Sequence, residues 1–232
     1  MTVFVALLRG INVGGKKKLP MKEFVSLCTG LGLSDVKTYI QSGNVVFRSD
    51  ETDEKVLSAK ISDAIAKQHG FSVPVLTLTR SALQAAIEAN PFPEAQSEPK
   101  TLHLYFLAAR PLAPAIDRLD ACKKENERFQ LIDNVFYLHA PDGIGRSKLA
   151  AKVEQAMGVS ATARNWRTVE KIMTIANDLV CNPCRCSFSC DRSTCFLLRP
   201  RYLLRIIRCG AAAFLGLAIK VHMNYSLVDQ SD

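Results

Sequence analysis

The sequence predicts an α+β fold of two ferredoxin-like, split β-α-β subdomains with mostly antiparallel sheets, followed by a C-terminal tail of different character. Three observations lead there. Strand-like runs and helical periodicities follow one another in the order β-α-β-β-α-β over residues 2–79. A break with three prolines in ten residues, NPFPEAQSEP, stands at 90–99. Beyond it a similar order of elements begins again.

Residues 2–9 are a continuous apolar run, the pattern of a strand buried on both faces. Pro20 suits a first helical turn, and Met21, Phe24, Val25, Leu27, Cys28 and Leu31 then recur at helical spacing. Gly30 and Gly32 are placed to end that helix. VKTYI (36–40) and NVVFRS (44–49) are β-branched and aromatic, and Gln41-Ser42-Gly43 joins them as a hairpin. Leu57, Ile61, Ala64 and Ile65 share one face of a helix over 53–69, stopped by Gly70. VPVLTLT (73–79) is the next strand, and Thr79 caps a short helix over 80–89. After the break, TLHLYFLAA (101–109) is a strand and 112–125 a helix. ERFQLI and NVFYLHA (127–139) form a hairpin turned by Asp133-Asn134. A helix over 146–157 turns Leu149, Val153, Ala156 and Met157 inward, and Asn165 caps a last helix carrying Val169, Ile172, Met173 and Ala176. The expected division is therefore 1–92, 99–176 and a tail over 177–232.

A chain of 232 residues, 48% hydrophobic and 22% charged, can bury a real core. The net charge of +8 suggests phosphate-bearing partners. No secretory leader stands out, since Arg9 interrupts the first apolar run, and no uninterrupted apolar stretch of about 20 residues offers a membrane span. The expectation is a cytoplasmic chain with no membrane association.

The glycine-rich stretch LLRGINVGGKKKLP (7–20) imitates a phosphate-binding loop, with Gly10, Gly15 and Lys16 in matching places. It lacks the hydroxyl residue that would ligate magnesium, because Lys17 stands there, and Pro20 delays the helix. Nucleotide hydrolysis is set aside, but Gly10, Gly14 and Gly15 with Arg9, Asn12, Lys16 and Lys17 still suit an anion. A second stretch, Gly143-Ile144-Gly145-Arg146-Ser147-Lys148, puts basic residues where a helix begins, against its dipole; a bound anion would offset that. A third, Arg164-Asn165-Trp166-Arg167, holds the chain's single Trp between two guanidinium groups and suits base stacking and phosphate contact. A fourth, the hairpin tip with Ser42 and Asn44, offers hydrogen bonds. Each has a bland alternative: a tight turn, a solvated lysine face, or a core Trp with a helix cap. The four histidines are scattered, so no catalytic constellation is identified and no cofactor is called for.

ALLRGINVGGKKKLPM (6–21), TYIQSGNVVF (38–47), GIGRSKLAAKVE (143–154) and TARNWRTVEKI (162–172) together resemble the bacterial family catalogued as domain of unknown function 1697. The resemblance spans roughly 2–176. It implies an α+β fold of ferredoxin-like subdomains and brings no established activity, catalytic residue or cofactor.

The tail differs. Cys28 and Cys122 are the only cysteines before residue 177, whereas Cys181, Cys184, Cys186, Cys190, Cys195 and Cys209 crowd the end. Cys181, Cys184, Cys186 and Cys190 are a weak alternative for zinc, because their spacing leaves little foldable chain between pairs. The tail reads instead as an aberrant extension, expected to be poorly ordered. The leading function is binding of a phosphate-bearing ligand, nucleic acid or nucleotide, through the basic loops. The alternatives are an enzyme acting on a small phosphorylated metabolite or nucleotide, and a non-catalytic protein-interaction domain.

Overall fold

The computed structural model describes residues 1–180, so the readings on the cysteine-rich tail lie outside the described residues. The first half runs β1 (Thr2–Leu8), α1 (Met21–Gly30), β2 (Ser34–Tyr39), β3 (Asn44–Ser49), α2 (Glu54–His69) and β4 (Val75–Thr79). A connecting helix, α3 (Arg80–Glu88), leads to β5 (Leu102–Leu107), α4 (Ile116–Asp120), β6 (Arg128–Ile132), β7 (Val135–His139), α5 (Lys148–Met157), β8 (Ala161–Asn165) and α6 (Trp166–Val180). The sheets are ordered β2-β3-β1-β4 and β6-β7-β5-β8, antiparallel throughout. In each, the two strands joined by the first helix lie on either side of the third, which is the split β-α-β arrangement.

The continuous apolar run of β1 follows from burial on both faces. Phe4, Ala6 and Leu8 pack with α1 and α2, through Phe24, Leu27, Leu57 and Ile61. Val3, Val5 and Leu7 point the other way, into a core shared with Leu102, Leu104 and Phe106 of β5 and with α3 and α6. Successive strand residues alternate between faces, so a strand between two apolar layers has no polar face to show. The outer face of the second sheet is covered by α4 and α5 through Leu119, Leu149, Val153 and Met157. Burying each such side chain contributes about 1.5–3 kcal/mol. Phe92 and Ala95, in the proline-rich segment, also enter the shared core.

Caps follow the sequence signals. Asp53, Thr79 and Ser147 accept N–H bonds at the starts of α2, α3 and α5, Asn165 does so at α6, and Gly70 ends α2 at φ 75°. Two elements differ from expectation. The helix expected over 112–125 shrinks to Ile116–Asp120; its start is delayed because Pro111 and Pro114 disfavour helical backbone before them and lack the N–H. Residues 161–165 form β8, a strand the apolar pattern did not disclose.

The free edge of β4 is covered from within. Glu54 Oε1 accepts the Thr79 N–H at 2.9 Å, Ser58 Oγ accepts the Thr77 N–H at 3.0 Å, and Ser62 Oγ donates to the Val73 carbonyl at 2.9 Å. These α2 residues are spaced four apart, one per turn, so one helix face blocks an edge that would otherwise pair with another strand.

Candidate functional site

The glycine-rich loop after β1 closes on itself. Gly14 and Gly15 have φ of 59° and 74°, and the Lys16 N–H donates to the Val13 carbonyl at 3.1 Å. Two consecutive positive φ values define a type I′ turn, which is why two glycines stand together. Asn12, at φ 54°, donates to the carbonyls of Leu19 and Gln41 at 3.0 and 2.9 Å and accepts the Leu19 N–H at 2.8 Å. Lys17 Nζ donates to the Ser72 carbonyl at 2.8 Å. The loop is thus a small hairpin pinned by Asn12, with the Asn12 and Lys16 amides committed to closing it.

A buried polar seam joins the two sheets beside this loop. Arg164, on β8, donates from Nε to Asn44 Oδ1 at 2.5 Å, from Nη2 to the carbonyls of Leu8 and Ser42 at 2.6 and 3.2 Å, and from Nη1 to the Ala163 carbonyl at 2.8 Å. Burial pushes its guanidinium down to about 10, which leaves it cationic at neutral pH. Asn44 is fully buried and also donates to Ser42 Oγ and the Tyr39 carbonyl. Arg9, the residue after β1, pairs through Nη1 with Glu154 of α5 and donates to the Ala161 carbonyl at 3.1 Å. The same Glu154 oxygen accepts the Ala161 N–H.

Between these groups lies a cleft of about 330 Å³, where Arg9, Gly10 and Val13 of the loop meet Ser42, Glu154 and Arg164. Four segments remote in sequence therefore converge. Among the expected site residues, the cleft gathers Arg9, Gly10, Ser42 and Arg164. Gly14, Gly15, Lys16 and Lys17 stand exposed along the adjoining hairpin, and Arg146, Lys148 and Arg167 are exposed outside the cleft lining. Asn12, Asn44, Ser147 and Asn165 hold backbone rather than facing solvent. Trp166 is 2% exposed within the shared core, so its ring packs against protein and offers no face to a base. Arg146 precedes α5 in a short 3-10 turn instead of opening the helix, because Ser147 is the cap. Glu154 was not foreseen as a cleft residue; its only sequence signal was its place at the end of the 143–154 motif.

Elsewhere the titratable groups point to packing. Burial pushes the Cys28 thiol up to about 12 and lowers His103. Among the described residues no group of three or more His, Cys, Asp or Glu could hold a metal ion, and no helix is long and apolar enough to cross a membrane.

A family model described as protein of unknown function (DUF1697) matches residues 1–137. That span holds the 6–21 and 38–47 motifs, while those at 143–154 and 162–172 lie beyond it. No curated protein matches the chain. Among solved structures, the conserved bacterial protein SP0830 from Streptococcus pneumoniae is similar at a TM-score of 0.58 and 24% identity, covering 75% of this chain and 98% of that one. At that identity the likeness speaks to fold alone.

Proposed function

The chain belongs to the DUF1697 family of proteins of unknown function, and from that premise we propose that it binds a compact phosphate-bearing ligand of nucleotide size in the cleft between the glycine-rich loop and α5. The carrying observation is the convergence of Arg9, Gly10, Ser42 and Arg164 on one concavity of about 330 Å³. That volume suits a small ligand. Arg9 uses only Nη1 on protein, leaving Nε and Nη2 for an anion. Ser42 Oγ accepts from Asn44 and keeps its own proton to donate. Arg164 adds positive potential from within the seam without spending a donor on the ligand. Lys16, Lys17, Arg146, Lys148 and Arg167 are the solvent-exposed cations that would attract the phosphate. The buried Trp166 favours a small ligand over a stacked single strand.

Calorimetric titration of the full chain with ADP, ATP, inorganic phosphate and a single-stranded oligonucleotide, at low and moderate salt, tests this. The expected result is binding of the nucleotides, weakened about tenfold by Ser42→Ala and by Arg9→Gln. Absence of binding to any phosphate compound at low salt would end the proposal. Oligonucleotide binding that far exceeds nucleotide binding and collapses with salt would replace it with nucleic-acid recognition.

A further inference from the structure

The cleft between the glycine-rich loop and α5 holds two polar groups that a phosphate does not need. The first is Tyr105 of β5, on the face of the second sheet that α5 covers. It lies directly opposite Ala163 of β8, and both line the cleft. Tyr105 is 6% exposed. Its hydroxyl makes no hydrogen bond among the described residues, and the oxygen is not among their sealed polar atoms. Burial first, and then the charges of Glu127 and Glu154, hold its phenol above the ordinary range. At neutral pH it is therefore a donor that can also accept.

Glu154 is the second. Its Oε1 takes Arg9 Nη1 and the Ala161 N–H, while Oε2 accepts nothing among the described residues. A carboxylate oxygen left open in a cleft calls for a donor on the ligand. Charge decides what kind. Oε2 would repel a phosphate oxygen, and an ammonium would face Arg9 and Arg164 in the same lining. A neutral hydroxyl meets neither objection. Arg9 also divides the space. Its Nη1 faces the carboxylate, and the fork of Nε and Nη2 is the edge left for an anion. Anion and hydroxyls therefore fit side by side on one guanidinium. Ala150 and Ala151 of α5 and Ala161 and Ala163 of β8 complete the lining with methyl groups, against which the C–H face of a sugar ring packs.

We infer, resting on the phosphate reading of this cleft, that the ligand carries a sugar with free hydroxyls beside its phosphate, and that Glu154 Oε2 and the Tyr105 hydroxyl bind those hydroxyls. Tyr105 and Glu154 then separate a nucleotide or sugar phosphate from phosphates that carry no sugar.

Calorimetric titration of the full chain compares ADP with 2′,3′-dideoxy-ADP, which keeps the base and both phosphates and lacks the ring hydroxyls. The dideoxy compound is expected to bind at least about tenfold more weakly. Tyr105→Phe is expected to weaken ADP about threefold to tenfold and to leave the dideoxy compound unchanged. No described group loses a partner in that variant, so its thermal melt is expected to match that of the unaltered chain. Glu154→Gln also releases Arg9, so it is read as the ratio of the two affinities, which is expected to fall toward one. Equal affinity for the two nucleotides in the unaltered chain overturns the inference and leaves the phosphate cleft standing. An equal loss for both nucleotides in Tyr105→Phe overturns the role of its hydroxyl. Binding of neither nucleotide nor of inorganic phosphate at low salt ends the phosphate reading itself, and this inference with it.

Discussion

Arg164 Nη2 donates to the Leu8 carbonyl at 2.6 Å, joining the last strand of the second sheet to the first strand of the first. The same guanidinium holds Asn44 and the hairpin tip, so one side chain ties three segments across the seam. Removing it leaves the Leu8 carbonyl and Asn44 Oδ1 buried without their donor. Arg164→Ala is expected to cost about 2–4 kcal/mol, the cost of two buried acceptors left unsatisfied, measured by urea denaturation. Arg164→Lys is expected to recover less than half of that, because one ammonium cannot span acceptors placed for a planar fork. An alanine variant within about 0.5 kcal/mol of the unaltered chain would refute the seam's role.

Gly43 meets Leu8 even more closely. It has φ 76°, and a Cβ built there would stand 2.6 Å from Leu8 Cβ and 2.8 Å from Ile11 Cδ1. Its carbonyl accepts the Leu8 N–H at 2.7 Å, so the backbone cannot retreat without losing that bond. Gly43→Ala is expected to cost about 3 kcal/mol or more, from overpacking added to left-handed strain. Gly15 has a similar φ of 74° with nothing within 4 Å of its Cβ position, so Gly15→Ala is expected to cost only about 1–2 kcal/mol. Equal losses in the two variants would mean that the contact with Leu8 does not matter.

Ile40 is exposed and holds φ 51°, a conformation that β-branched residues rarely adopt. Ile40→Gly is expected to stabilise the chain by about 1 kcal/mol, since strain relief outweighs the lost side chain. A destabilised glycine variant in the same urea assay would show that the Ile40 side chain contributes more than its exposure suggests.

How legible this was depended on distance along the chain. The order β-α-β-β-α-β could be read because β1 carries two-sided burial and α2 carries its apolar face at Leu57, Ile61 and Ile65. Strand β8 escaped notice because ATARN is short and has little β-branched character. It becomes a strand by pairing with β5, from His103 opposite Asn165 to Leu107 opposite Ala161. Arg164 was read as an anion contact for a related reason. A guanidinium in a basic stretch looks solvent-facing until the seam forms, and its partner Asn44 lies 120 residues away. Trp166 gave no local sign of which layer would cover it. The loops carrying Arg9 and Ser42 were both singled out, but their meeting at one cleft is a property of the sheet order and not of either stretch.

Cys28 lies fully buried on the apolar face of α1, and burial pushes its thiol up to about 12. Alkylation needs the thiolate, so Cys28 is expected to resist iodoacetamide at pH 8 while the half-exposed Cys122 reacts. Peptide mapping by mass spectrometry reads both sites in the full chain, and urea is expected to abolish the difference. Labelling of Cys28 in the folded chain as fast as Cys122 would place it outside the core.

Alkaline stability depends in part on Tyr137, which is 1% exposed and donates its hydroxyl to the Ala86 carbonyl. Burial first, and then the charge of Asp133, raises its phenol from 10.0 to about 12. Between those values the unfolded chain releases the proton and the folded chain keeps it. The contribution is therefore fully present below pH 10 and is lost as pH rises through about 12. Arg164 acts in the opposite sense, since its lowered value makes the folded state release a proton first. Tyr137→Phe removes the first effect and leaves the second. Urea midpoints measured from pH 9 to 11.5 are expected to fall less steeply in the variant. The difference should grow toward roughly 2 kcal/mol at the alkaline end. At neutral pH the variant should cost about 1 kcal/mol, for the Ala86 carbonyl left without its donor. Parallel profiles would mean that the Tyr137 phenol titrates alike in both states, and that its place in the shared core does not exclude water.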